Sequence, residues 1–123
     1  MRSTRLVNIT GLFIMFLSSI AVAADPLPLS HGIFVESSVG CSDVSNATAL
    51  SYSGDELNSS KVIGTIVRVK KSNGSYRVTL DMNVQGEPSG QEIWTVKING
   101  VKNMTVTFPY GTSSYRWCFH KMP

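Results

Sequence analysis

The 123-residue chain has only two histidines and two cysteines, so the side chains that most enzymes use for acid–base or nucleophilic chemistry are scarce. It contains no serine or cysteine nucleophile motif, no paired-histidine helix, no glycine-rich phosphate loop and no repeat of metal ligands. His31 lies at the start of an expected strand, and His120 lies near the C-terminus. We therefore expect a protein without catalytic activity, a bound metal or a cofactor.

The sequence also lacks an apolar run long enough to cross a bilayer, which takes about twenty residues. Its main apolar stretch, residues 11–20, follows Arg2 and Arg5 and precedes the small residues 21–24. A basic start, a short apolar stretch and a small-residue cleavage site are typical of a secretory signal peptide. Residues 1–24 are therefore predicted to be a cleaved signal peptide. The mature protein is expected to be periplasmic or secreted, without a transmembrane anchor.

Net positive charge is small once the leader is removed. Arg2 and Arg5 belong to the leader, so the eleven Lys and Arg fall to nine against eight Asp and Glu, a net charge of about +1. This value argues against nucleic acid as a partner. Residues 25–60 hold five acidic and no basic residues, whereas residues 61–123 hold nine basic and three acidic ones. Two interpretations stay open: an acidic stretch that packs beside a basic one, or a polar surface that faces a charged partner.

Apolar and polar residues alternate along residues 61–84, which is typical of strands. Asn73-Gly74 divides this stretch and suits a two-residue type I′ turn, because both positions of that turn need a positive φ. The predicted hairpin sets apolar residues opposite each other: Val69 and Val78, Val67 and Leu80, Ile63 and Val84.

A second hairpin is expected around Asn99-Gly100. A three-residue connection there pairs Val96 with Met104 and Trp94 with Val106. Further strands are expected over residues 31–36, 48–52 and 114–119, and loops over residues 40–47, 53–60 and 86–90. About seven short strands predict one all-β domain over residues 25–123, an antiparallel meander that forms a small barrel or a sandwich.

Cys41 and Cys118 are the only cysteines, and both follow the leader. Two cysteines in an oxidising compartment predict a disulfide, here between the last strand and the loop after the first. A metal site is the alternative, but two distant thiols with only two histidines make a poor ligand set. Closing so long a loop stabilises a protein by roughly 4 kcal/mol in the chain-entropy model.

The outer face of the first hairpin is the first candidate binding surface. The predicted register sets Lys70 opposite Arg77, with Arg68 and Lys71 alongside. Like charges in cross-strand positions are unfavourable. They indicate either a solubilising strand end that prevents edge pairing or an anionic partner.

Two further surfaces are candidates. One is the predicted loop 86–90, with Glu87 and Ser89. The other is Tyr110 and Arg116, since Tyr and Arg are common in binding hot spots. The aromatic residues that alternate near Arg116 are expected to point into the core.

Several segments resemble small exported proteins of Gram-negative bacteria: residues 31–35 (His-Gly-Ile-Phe-Val), Cys41, residues 46–47, residues 51–54 (Ser-Tyr-Ser-Gly) and residues 115–118 (Tyr-Arg-Trp-Cys). In size and single-disulfide β character the chain is also similar to periplasmic lysozyme inhibitors. Residues 89–94 are only a loose counterpart of their Ser-Gly…Tyr inhibitory loop, so no inhibitory residue is transferred to this chain.

These features favour an exported binding protein without catalytic activity. The first hypothesis is an inhibitor or immunity protein that occludes a protein partner in the envelope, using residues 86–90 or the basic hairpin. The alternative is an envelope or secreted structural module that binds glycans or anionic polymers through Lys70, Lys71 and Arg77.

Overall fold

Eight antiparallel strands make up most of the described chain. The computed structural model describes residues 25–121. Its strands are β1 (Gly32–Glu36), β2 (Ala49–Tyr52), β3 (Glu56–Ser59), β4 (Val62–Ser72), β5 (Ser75–Val84), β6 (Glu87–Ile98), β7 (Asn103–Phe108) and β8 (Gly111–Phe119), with 3-10 helices at Cys41–Asp43 and Asn46–Thr48. The predicted signal peptide lies outside the described residues. Within residues 25–121, no helix has the length and hydrophobicity needed to span a membrane.

The sheet closes on itself. Each strand pairs with the next one along the chain, and β8 pairs with β1 to complete a barrel. The predicted all-β meander is therefore confirmed, and of the two architectures left open it is the barrel. There are eight strands because Leu57 is fully buried and lies in β3, within the segment predicted to be a loop. The loop prediction for residues 53–60 is wrong because one buried leucine outweighs its polar neighbours.

The first predicted hairpin is present. Asn73 and Gly74 have φ values of +49° and +81°, as a type I′ turn requires. Next to the turn the predicted register is confirmed, with Val69 opposite Val78.

Further from the turn, β4 contains a bulge that the sequence did not reveal. Val67 is an extra residue in the ladder, and Ile66 takes its place opposite Leu80. The predicted pair Ile63–Val84 is wrong for the same reason. Beyond a bulge the alternation of faces is inverted. Ile63 and Val67 therefore lie on the outer face, 44% and 45% exposed.

Gly64 shows why β4 takes this course. A Cβ at this position would lie 2.8 Å from the backbone oxygen of Leu57 and 3.3 Å from the side chain of Leu80. Only glycine lets β4 approach β3 so closely with residue 64 on the inner face. The inverted alternation therefore places the one strand residue without a side chain where space is smallest.

Residues 86–90 do not form the predicted loop. Gln85 and Gly86, with φ values of +51° and +90°, make a two-residue turn, and Glu87 already belongs to β6. Ser89 is the extra residue of a second bulge in the ladder between β5 and β6. The prediction fails because proline and glycine, typical of turns, are also found at strand ends and bulges. Pro88 and the left-handed Gly90 have those roles here.

The second hairpin is present in a different register. Val96 lies opposite Val106 and Ile98 opposite Met104, with four residues, 99–102, between the strands. The predicted register is wrong by two residues because the turn that begins at Gly100, with φ of +87°, takes one residue more than expected. A shift of two keeps each side chain on its predicted face, so the core assignment still holds.

The predicted disulfide is confirmed. Cys41 and Cys118 are bonded, with their Cα atoms 5.6 Å apart. Cys41 follows β1, and Cys118 is the extra residue where β8 bulges against β1. The bond therefore joins the last strand to the loop after the first, as expected. A disulfide fits a protein outside the cytoplasm.

The first described residues close one end of the barrel. Leu27 and Leu29 precede β1 but are buried in the core. The Tyr52 hydroxyl accepts a hydrogen bond from the Leu27 N–H and donates one to the Leu27 carbonyl, both at 3.1 Å. The interior is filled by large apolar side chains, among them Phe34, Tyr52, Leu57, Leu80 and Met104. Binding is therefore sought on the outer surface.

Candidate functional site

A cluster of basic side chains lies on the outer face of β4, β5 and β6. Arg68 and Lys70 share this face of β4, because residues two apart in a strand project to the same side. Lys70 lies opposite Arg77 of β5, as predicted, and Arg68 lies opposite Thr79. Ile93 of β6 lies on the other side of Thr79. Three neighbouring strands thus contribute to one surface.

These five residues line a depression of about 210 Å³, which we call the basic groove: Arg68, Lys70, Arg77, Thr79 and Ile93. Thr79 is only 8% exposed although it lies on the outer face, since the longer side chains around it cover it. No hydrogen bond joins its hydroxyl to another of the described residues. Ile93, 48% exposed, forms an apolar wall.

Positive charge in the basic groove has no acidic neighbour within the described residues. Among residues 25–121, the only oppositely charged groups within 4 Å of each other are Asp25 and His31, at 2.7 Å. The acidic residues of the stretch 25–60 therefore form no ion pair with Arg68, Lys70 or Arg77. Of the two interpretations of the charge asymmetry, this arrangement favours a surface that faces a charged partner.

Lys71 does not join the groove, so its predicted place beside Lys70 is wrong. Adjacent strand residues point to opposite faces. The Lys71 ammonium group instead lies 5.7 Å from the centre of the Tyr76 ring, a distance suited to a cation–π contact.

Glu87 and Ser89 lie at the start of β6, outside the basic groove. They border a second depression, of about 320 Å³, on the same outer face. Its lining residues are Thr65, Asp81, Met82, Asn83, Pro88, Gly90 and Gln91. Here the Gln91 amide donates a hydrogen bond to the Asp81 carboxylate at 2.8 Å. The polar groups of this second depression thus bind each other.

Tyr110 and Arg116 lie away from the groove. Tyr110 is 77% exposed in the turn between β7 and β8, and its ring stacks on Phe108 with centroids 5.2 Å apart. Arg116 is exposed on β8, opposite Asn103. Because β8 pairs with β1 and β7, neither residue can act together with the basic groove.

Both histidines lie at the end of the barrel that the N-terminal segment closes. His31 and His120 line one shallow depression there, together with Ser51 and Ser53. His31 Nε2 is hydrogen-bonded to the Asp25 carboxylate at 2.7 Å. In the part of the chain that the structure describes, no three His, Cys, Asp or Glu residues are grouped to hold a metal.

The sequence did not reveal Thr79 and Ile93 as parts of the site. Thr79 could have been found, since the register that pairs Lys70 with Arg77 also pairs Arg68 with Thr79. Ile93 depends on the pairing of β5 with β6, which the wrong loop at residues 86–90 hid.

No protein family, no curated protein and no solved structure matches the chain. Function is therefore inferred from the chemistry of the surface itself.

Proposed function

We propose that the protein is an exported binding protein of the cell envelope, without catalytic activity, whose basic groove binds an anionic polymer. The observation that carries this proposal is the convergence of Arg68, Lys70 and Arg77 with no carboxylate within 4 Å of them among the described residues. Repulsion between like charges in cross-strand positions costs stability. An anionic ligand offsets that repulsion.

The scaffold suits such a role. A closed barrel with a disulfide holds the three basic strands in place before the ligand arrives, so little ordering is needed on binding. The predicted signal peptide and the disulfide agree with an envelope or secreted location.

Occlusion of a protein partner is the second candidate function. Ile63, Val67 and Ile93 are exposed on the same outer face as the cations. Apolar side chains mixed with arginine are typical of the centre of a protein interface. An inhibitor or immunity protein would use this face against an acidic surface of its partner, and residues 86–90 would contribute as part of β6.

Binding of polyphosphate and dextran sulfate to the purified, oxidised protein tests the first candidate. In the double variant Lys70→Glu, Arg77→Glu, we expect affinity to fall by at least about tenfold and to depend less steeply on salt, because fewer counterions are released. Lys61→Glu with Lys121→Glu is the matched control, since both lysines are exposed outside the groove and the net charge changes equally.

Equal losses in the two double variants would contradict the proposal, because net charge alone would then explain binding. Capture of an acidic protein from envelope extract separates the second candidate from the first. We expect Val67→Ser with Ile93→Ser to abolish such capture while leaving polymer binding within about twofold, since hydrophobic contacts contribute mainly to protein interfaces.

A further inference from the structure

Thr79 is an unusual residue for the outer face of a barrel strand. It is the one polar residue among the buried side chains of the described chain, and it forms the floor of the basic groove. Its hydroxyl makes no hydrogen bond to another described residue. A hydroxyl both donates and accepts hydrogen bonds, and a buried polar group without a partner costs free energy. The floor of the groove therefore offers a hydrogen bond to whatever occupies it.

The groups around this hydroxyl are suited to a small, highly charged anion. Arg68 and Arg77 can each present two N–H donors in a planar fork, which matches the oxygens of phosphate. Lys70 adds an ammonium group, which acts as a point charge. Ile93 closes one side with apolar surface and keeps water away, which strengthens the remaining interactions.

We propose that the basic groove is a specific site for one dianionic tetrahedral oxyanion, namely the phosphate group of a phosphomonoester. This inference rests on the proposed function and deepens it, because it names the group on the polymer that the surface recognises. Three cationic groups and a hydroxyl can each reach a different oxygen of a tetrahedral ion. A carboxylate has two oxygens and one charge, so it leaves part of this donor set without an acceptor.

The test is an NMR titration of the backbone amides of the purified, oxidised protein, at constant ionic strength. Inorganic phosphate, glucose 6-phosphate and phosphoserine are the phosphate probes, and acetate is the carboxylate probe. We expect saturable shifts at Arg68, Arg77, Thr79 and Ile93 with phosphate, and binding of acetate at least about tenfold weaker, since charge-assisted contacts are lost. Comparing the sugar and serine esters shows which carrier the flanking surface prefers.

Two matched pairs of variants locate the site. Lys70→Gln and Lys97→Gln make the same change on the same outer face, but Lys97 lies opposite Ser75 and does not line the groove. We expect Lys70→Gln to weaken phosphate binding about tenfold and Lys97→Gln to stay within about twofold. Thr79→Val should weaken binding about fivefold without any change of charge, and Thr79→Ser should restore it, because the hydroxyl is what matters.

The outcomes separate this inference from the proposed function. Unsaturable shifts, acetate binding as tight as phosphate, or equal effects of Lys70→Gln and Lys97→Gln would each overturn the phosphate site. If polymer binding still depended on Lys70 and Arg77 in that case, the proposed function would stand without it. Loss of polymer and phosphate binding alike from the wild type would remove both. Unfolding of each variant by urea verifies that it is folded.

Discussion

The basic groove and the second depression lie on the outer face of the same three strands, yet their polar groups differ. In the second depression, Asp81 and Gln91 are hydrogen-bonded to each other. In the basic groove, cations and the Thr79 hydroxyl meet without a carboxylate within 4 Å among the described residues. The two depressions are similar in kind and share β4, β5 and β6. What distinguishes a candidate binding site here is therefore its unsatisfied polar groups and not its shape.

The boundary between the two depressions is the bulge at Val67, and its removal should have the largest effect on stability. Gly64→Ala places a Cβ 2.8 Å from the Leu57 backbone oxygen, so β3 and β4 must move apart. We expect the free energy of unfolding to fall by about 3 kcal/mol, measured by urea denaturation. Gly111→Ala is the control, because a Cβ at Gly111 meets nothing within 4 Å, and it should stay within about 0.5 kcal/mol of wild type. Equal effects would show that the close approach at Gly64 is unimportant.

A second test compares a satisfied hydroxyl with an unsatisfied one. Tyr52→Phe removes the partner of the Leu27 N–H and carbonyl, and should cost about 2 kcal/mol because two buried backbone groups lose their hydrogen bonds. Thr79→Val removes a hydroxyl without a partner among the described residues, and should leave stability within about 0.5 kcal/mol. Similar losses of unfolding free energy in both variants would erase the distinction that we draw between the two hydroxyls.

Tyr52 also predicts how stability depends on pH. Burial raises the pKa of this phenol above its usual value of about 10, and the negative charges of Asp25 and Asp55 add to the rise. The unfolded chain therefore loses this proton at lower pH than the folded one. Stability should be fully present below about pH 10 and fall as the pH rises toward the pKa of the folded state. Alkaline denaturation of Tyr52→Phe should show a smaller slope, and an unchanged slope would contradict this assignment.

The smallest effect is expected in the second depression. Asp81→Asn removes its carboxylate but keeps an oxygen that can accept from Gln91. Because Asp81 is exposed, we expect stability to change by less than about 0.5 kcal/mol and phosphate affinity to rise by less than about twofold. Titration calorimetry with phosphate measures the second quantity. A tenfold gain would mean that the two depressions act as one electrostatic site.

The parts of the fold that the sequence could predict are those with a local cause. Asn73-Gly74 imposes its turn geometry, and the alternation next to it determines the faces of both strands there. The bulges at Val67, Ser89 and Cys118 have no such local cause, since they arise where strands of a closing barrel must curve.

The site followed the same division. The pairing of Lys70 with Arg77 depends only on the predicted turn, and it is confirmed. Ile93 enters the groove only through the pairing of β5 with β6, a contact that the residues of one hairpin do not encode. Leu27 has no periodic pattern around it and is buried only because the finished barrel has an open end to fill.

The disulfide also constrains the order of events while the chain is made. Cys118 belongs to the eighth strand, and 77 residues separate it from Cys41. Oxidation must therefore wait until every strand has been synthesised, so the covalent bond cannot guide the early steps of assembly. It acts as a late lock on a ring that hydrogen bonds between the first and last strands have already drawn together.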